Sequence, residues 1–176
     1  MKVDFEKVGV IASYFADNTK ELYVTKFLKL FYYLDFISYK MRGASVSNDV
    51  YLKLPYGPVP SAIKNEIDIL SSQNTPLDKE FKKQLFPYIK LERNIDKNGN
   101  LVVSTGKEYN LRKLSNFELE LMKDIVETFK NTTGKVLTNQ THRENPWVST
   151  SAYSIISYEL AEGLDIAKIL PNFVSK

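Results

Sequence analysis

The sequence predicts a mainly helical α+β domain, with a helical core and a small antiparallel sheet that includes a β-hairpin. Two patterns and the chain length lead to this reading. Apolar residues recur at three- and four-residue spacing in several segments of ten or more residues, as on one face of a helix. Strict alternation, the mark of a half-buried strand, is confined to the stretch from Asp49 to Tyr56 and to residues 88 to 105. At 176 residues, with no repeat, low-complexity tract or linker, residues 1–176 fit a single domain. A chain of this length buries roughly 70% of its unfolded surface, enough for a normal core.

The first helix is expected from Asp4 to about Ala16, with Phe5, Val8, Ile11, Ala12 and Phe15 on one stripe and Asp17-Asn18-Thr19 closing it. The second carries Phe27, Leu30, Phe31, Leu34 and Ile37 on its apolar face and stops at Gly43. Alternation then places Val50, Leu52 and Leu54 on one side of a strand and Tyr51 and Lys53 on the other, with Pro55 ending it or marking an edge. Tyr56-Gly57-Pro58-Val59-Pro60 reads as a rigid corner, because each proline fixes its own φ and restricts the residue before it. Pro60 suits the first position of a third helix, which runs to about Ser72 with Ile63, Ile67 and Leu70 inward.

Tyr88 to Leu91 and Leu101 to Ser104 flank a Lys97-Asn98-Gly99 turn, and a three-residue loop sets Ile95 opposite Leu101. Ser115-Asn116-Phe117-Glu118 is a capping box, with Leu114 and Leu119 as the hydrophobic staple. The helix it starts shows Leu119, Met122, Ile125, Val126 and Phe129 and ends at Asn131-Thr132-Thr133-Gly134. A short helix from Lys135 to about His142, a Pro-Trp corner, and two short helices at Ser157–Gly163 and Asp165–Leu170 complete the chain.

Composition narrows the function classes. Absence of cysteine removes disulfides, thiolate nucleophiles and Cys-based zinc sites, and a single histidine removes metal sites built on several imidazoles. No metal and no cofactor is expected. No apolar run approaches the ~20 residues of a membrane span, and the first residues lack a signal-peptide core, so a cytoplasmic protein without membrane contact is expected. A formal charge of +3 is too weak a field to argue nucleic-acid binding by itself.

The helix-turn-strand block that ends in Tyr56-Gly57-Pro58-Val59-Pro60, together with His142-Arg143-Glu144-Asn145-Pro146-Trp147 and Ile156-Ser157-Tyr158-Glu159-Leu160, resembles the Panacea or SocA-like antitoxin domain of bacterial and phage-encoded proteins. The likeness runs from about Val24 to Leu160. It implies an antitoxin that neutralises a protein toxin encoded by an adjacent gene through direct protein contact, and no enzymatic activity. It fixes no oligomeric state.

Helix, strand, helix and hairpin are also reminiscent of a winged helix, a DNA-binding regulator in which residues 61–72 would enter the major groove. Their outer face offers Lys64 and Asn65 against Glu66 and Asp68, with no Arg to read guanine, so nucleic acid is the disfavoured partner. His142 with Glu144 as its orienting group is the one arrangement that suggests acid–base chemistry, but no nucleophile or oxyanion site accompanies it. His142 therefore reads as a structural residue before a turn. Trp147 reads as a core or corner residue, or as a partner contact. Tyr32 and Tyr39 share a helix face with Asp35, which is either a second buried surface or a partner-binding patch, since tyrosine suits interfaces. Asp35 is expected to accept a hydrogen bond from a tyrosine or a backbone group. Tyr32, Asp35, Tyr39, Tyr56, His142 and Trp147 are the candidate partner-binding residues.

Overall fold

The computed structural model of the chain describes residues 2–72, 84–85, 87–93 and 100–173. It is mainly helical α+β. Helix α1 (Phe5–Asn18) starts on Asp4, whose side chain accepts from the Glu6 and Lys7 amides at 3.1 Å. Helix α2 (Val24–Arg42) ends on Gly43, whose φ of 70° lies in the left-handed region that a Cβ disfavours.

Helix α2 is central. Every residue from Lys26 to Ser38 is buried, including the lysines and Asp35, so the apolar stripe is one of several buried faces. Phe31 meets Phe15 and Phe27 edge-on, and Tyr33 stacks on Phe129 at 4.9 Å. Such aromatic pairs add about 0.5–1.5 kcal/mol each beyond the area they bury.

Strands β1 (Tyr51–Leu54) and β2 (Gly57–Pro60) form a hairpin, and β5 (Ile155–Ile156) pairs with β1 on its other side. All pairings are antiparallel, with Leu54 opposite Gly57, Tyr51 opposite Pro60, and Tyr51 opposite Ile156. Tyr56-Gly57-Pro58-Val59-Pro60 is thus mostly an edge strand and not a corner. The Ser61 amide donates to the Val50 carbonyl at 2.8 Å, which sets the hydrogen-bonding phase and leaves Pro58 and Pro60 where no ladder donor is needed. Pro60 caps helix α3 (Ser61–Ser71) from outside and is not its first residue. In β1 it is Tyr51 that faces the core, while Val50 is exposed.

The second hairpin, β3 (Ile89–Arg93) with β4 (Leu101–Thr105), has Arg93 opposite Leu101 and Leu91 opposite Val103. The expected register, with Ile95 opposite Leu101, is therefore out by two residues, which keeps Leu91, Leu101 and Val103 on the same face. Ile95 and the Lys97-Asn98-Gly99 turn lie outside the described residues. Contacts with the rest of the chain hold the pairing: the Val103 amide donates to the Leu22 carbonyl at 2.8 Å, and the Ser13 hydroxyl donates to the Tyr88 carbonyl at 2.9 Å.

Helix α4 (Asn116–Phe129) carries the capping box, with the Ser115 amide donating to Glu118 at 2.9 Å and the Glu118 amide donating to the Ser115 hydroxyl at 3.3 Å. Glu118 also pairs with Lys7 of α1, and these contacts outweigh its partial burial and hold its carboxyl below the ordinary value. Ser115→Ala is expected to cost about 1 kcal/mol in urea unfolding, the usual worth of such a cap. Helix α5 (Gly134–Thr141) is capped by Thr133, and the Pro-Trp segment is a one-turn helix, α6 (Asn145–Val148). A 3₁₀ helix (Tyr158–Gly163) and α7 (Ile166–Ile169) follow β5 and match the two short helices expected. Residues from α1 to Phe173 share one hydrophobic core.

Candidate partner-binding site

Asp35 projects from α2 and gathers the loop between Gly43 and Val50. Its carboxylate accepts from the Val46 amide at 2.8 Å, the Ser47 amide at 2.7 Å, the Tyr51 hydroxyl at 2.7 Å and the Ser47 hydroxyl. The expected tyrosine and backbone donors are both present. Burial pushes this carboxyl above its ordinary value, and the four donors pull against that shift. Asp49 fixes the other end of the loop, accepting from the Ala62 amide at 2.9 Å and the Ile63 amide at 2.8 Å at the start of α3. Tyr158 donates to the Asp49 carbonyl at 2.8 Å and stacks on Tyr39 at 5.2 Å.

Tyr32 and Asp35 are completely buried, so their helix face is a second core surface and presents nothing to a partner. Tyr39 is half-buried under Tyr158. Of the six candidates only Tyr56, at the tip of the β1–β2 hairpin, is exposed, at 77%. It is held through its carbonyl, which accepts from the Thr138 hydroxyl at 3.5 Å.

His142 and Trp147 meet each other. Their rings stack at 4.1 Å with planes 22° apart, and the Lys53 ammonium lies 3.9 Å from the Trp147 ring centre. Lys53 also donates to the Thr150 carbonyl at 2.7 Å, which ties β1 to the turn after α6. Burial, followed by the positive charges of Lys29 and Lys53, lowers the His142 pKa and favours neutral imidazole.

Glu144 does not orient His142. Its carboxylate accepts from the Tyr33 hydroxyl at 2.9 Å, and burial raises its pKa against the opposing pull of Tyr33, Tyr32 and Gln140. The Tyr32 hydroxyl and the second Glu144 oxygen are both buried, and neither has a partner in hydrogen-bond geometry among the described residues. The acid–base pairing suggested by the sequence is therefore absent in geometry.

The winged-helix elements are also differently disposed. Glu66 is buried and accepts from the Gln84 amide at 2.7 Å and the Leu85 amide at 3.2 Å, so it is not on the outer face of α3. Lys64 is bound to Asp68 at 2.5 Å, which offsets the cation a phosphate would need. Among the described residues no helix is long and apolar enough to cross a membrane, and no group of three or more His, Cys, Asp and Glu is placed to hold a metal ion.

The order of α2, the β1–β2 hairpin, α3, β3–β4 and α4 to α6 is the segment that the family model for the antitoxin SocA-like, Panacea domain matches, over residues 27–148. The chain belongs to this family. The Panacea match takes in all six candidate residues and stops at Val148, short of the Ile156–Leu160 segment that the sequence likeness included. Searches of curated proteins and of solved structures gave no match.

Sequence reasoning missed the buried charges Lys26, just before the Panacea segment, and Lys29 and Glu66 within it, and the roles of Asp49 and Glu144. The available signal was the helix around Lys26 and Lys29, apolar or aromatic on more than one face, which leaves its lysines no solvent side. It also missed β5, whose two residues are too few to show alternation.

Proposed function

We propose that this Panacea-domain protein is the antitoxin of a bacterial or phage toxin–antitoxin pair and neutralises a cognate protein toxin, encoded by the adjacent gene, by direct contact in the cytoplasm. The family match over residues 27–148 carries this reading. The disposition of the polar groups supports a binding role without catalysis. The Asp35 carboxylate accepts from four internal donors, Glu144 is engaged by Tyr33, and His142 is stacked on Trp147. An acid or base must instead reach the proton it transfers.

Co-expression with the product of the adjacent gene tests the proposal. Growth should be restored in cells that the neighbour alone arrests, and the two proteins should co-purify. Absence of both effects would count decisively against an antitoxin role.

A further inference from the structure

We infer that the surface built by the loop Gly43–Val50, strand β5 and the residues from Val148 at the end of α6 to β5 is the face that receives the partner, and that it receives an uncharged, extended segment laid along the free edge of β5. This rests on the antitoxin reading and adds to it where the partner docks and what its docking segment is made of.

The first observation is charge. No Asp, Glu, Lys or Arg occurs between Arg42 and Asp49 or between Glu144 and Glu159, in a protein in which 26% of residues are charged. The β1–β5 ladder brings these two stretches together, with Leu52 opposite Ile155, and Tyr158 bonds to the Asp49 carbonyl. The surface they form carries exposed apolar groups: Val50, Val148 at 57%, Tyr153 at 72% and Ile155 at 66%. The Lys53 ammonium that reaches the second stretch is already bound to the Thr150 carbonyl and lies over the Trp147 ring, so a charged partner group buried here would lose its hydration with little counter-charge to replace it, and the complementary face is uncharged.

The second observation is the asymmetry of the sheet. The order β2-β1-β5 leaves two edges. The β2 edge is blunted by Pro58 and Pro60, a device that prevents strand addition. The β5 edge has neither proline nor charge. Its phase follows from the Lys53 backbone, which donates to the Ser154 carbonyl at 2.9 Å and accepts from the Tyr153 amide at 2.9 Å. Tyr51 therefore bonds toward β5 as well, Leu52 toward β2, and the amide and carbonyl of Ile155 opposite Leu52 point out of the sheet. A backbone strand is the ligand that satisfies them, and apolar side chains on it would rest on Val50 and Ile155.

The third observation is preorganisation. Asp35 and Asp49 pin the loop beneath this face through seven hydrogen bonds to backbone amides and to the Ser47 and Tyr51 hydroxyls, and Tyr153 is held at φ 61°, a conformation that costs a bulky residue energy. A surface of serine, tyrosine and aliphatic residues that is already ordered loses little entropy on binding.

The test titrates wild type, Ile155→Lys, Val148→Lys and, as a control on another exposed apolar residue, Val136→Lys against the purified product of the adjacent gene. Ile155→Lys and Val148→Lys should each weaken binding at least ~30-fold, Val136→Lys about 2-fold at most, and all three should melt with the wild type. Wild-type affinity should change less than about 3-fold between ~0.05 and ~0.5 M salt, and the Ile155 amide should become protected from hydrogen exchange in the complex. Wild-type-like binding by both lysine variants, with growth rescue intact, would overturn this inference and leave the antitoxin reading standing. So would a wild-type dimer that Ile155→Lys dissolves, which would assign the face to a second copy. If wild type neither binds nor rescues, the antitoxin reading falls and this inference falls with it.

Discussion

Asp35→Ala is expected to lower the stability of the protein by about 3–5 kcal/mol, the range in which breaking a buried charged network falls. The side chain is buried and accepts from two amides and two hydroxyls. Removing it leaves those donors without partners in a place where water does not enter. The loop from Gly43 to Val50 can swing outward and recover part of the loss, which is why the cost stays below the sum of separate penalties. Urea unfolding measures it, and a loss under ~1 kcal/mol would show that the loop does not depend on this carboxylate. Because burial raises the Asp35 pKa, its ionisation works against the folded state. Its contribution is fullest below the ordinary value of 3.8 and declines as pH rises through the raised one, so the gap between wild type and Asp35→Ala should widen in acid. A variant with this loop freed should also lose the order of the face proposed to receive the partner.

The helices were legible because each carries its own local instructions. Asp4, Gly43, Ser115 with Glu118, and Thr133 act within a turn of where they stand, and the structure uses each as a cap or stop. Pairing and exposure were less legible because distant residues decide them. The β3–β4 register is held by Leu22 and Ser13, far from the turn whose chemistry suggested a different one. In β1, alternation marks two sides but does not say which faces inward, and the Asp35 carboxylate draws Tyr51 to the core side. The same limit applies to the site. Tyrosine at helical spacing is equally suited to an interface and to a core, and Tyr32 and Tyr33 are core because α4, α5 and the hairpin close around α2 on all sides. The uncharged stretch between Glu144 and Glu159 was visible in the sequence, but its meaning depends on being folded beside the loop after α2.

Raising the pH from 7 to 9 is expected to stabilise the protein, by ~2 kcal/mol through Lys29 alone. Lys29 is buried in α2, donates to the Pro58 carbonyl at 2.9 Å, and has no ion-pair partner among the described residues. Desolvation lowers its pKa from 10.5 to about 7. Between those values the folded protein has released a proton that the unfolded chain still holds, so unfolding takes up a proton and becomes harder as pH rises. Lys26, lowered by burial in the same helix, acts in the same direction. The buried tyrosines oppose the trend at the alkaline end: Tyr32, Tyr33, Tyr51 and Tyr158 are held above the ordinary 10.0, and their ionisation favours the unfolded chain once pH passes that value. Stability should therefore peak below pH ~10 and above neutrality. Lys29→Met keeps the volume and removes the titrating group, so urea midpoints of the variant should rise much less between pH 7 and 9. Parallel profiles for the two proteins would refute the assignment. The position of Lys29 gives the effect a structural address, since a Cβ added at Gly57, where φ is 102°, would lie 2.8 Å from the Lys29 side chain. The β1–β2 hairpin is seated directly on this side chain, and protonating it places an unpaired charge in the desolvated contact that joins the sheet to the central helix.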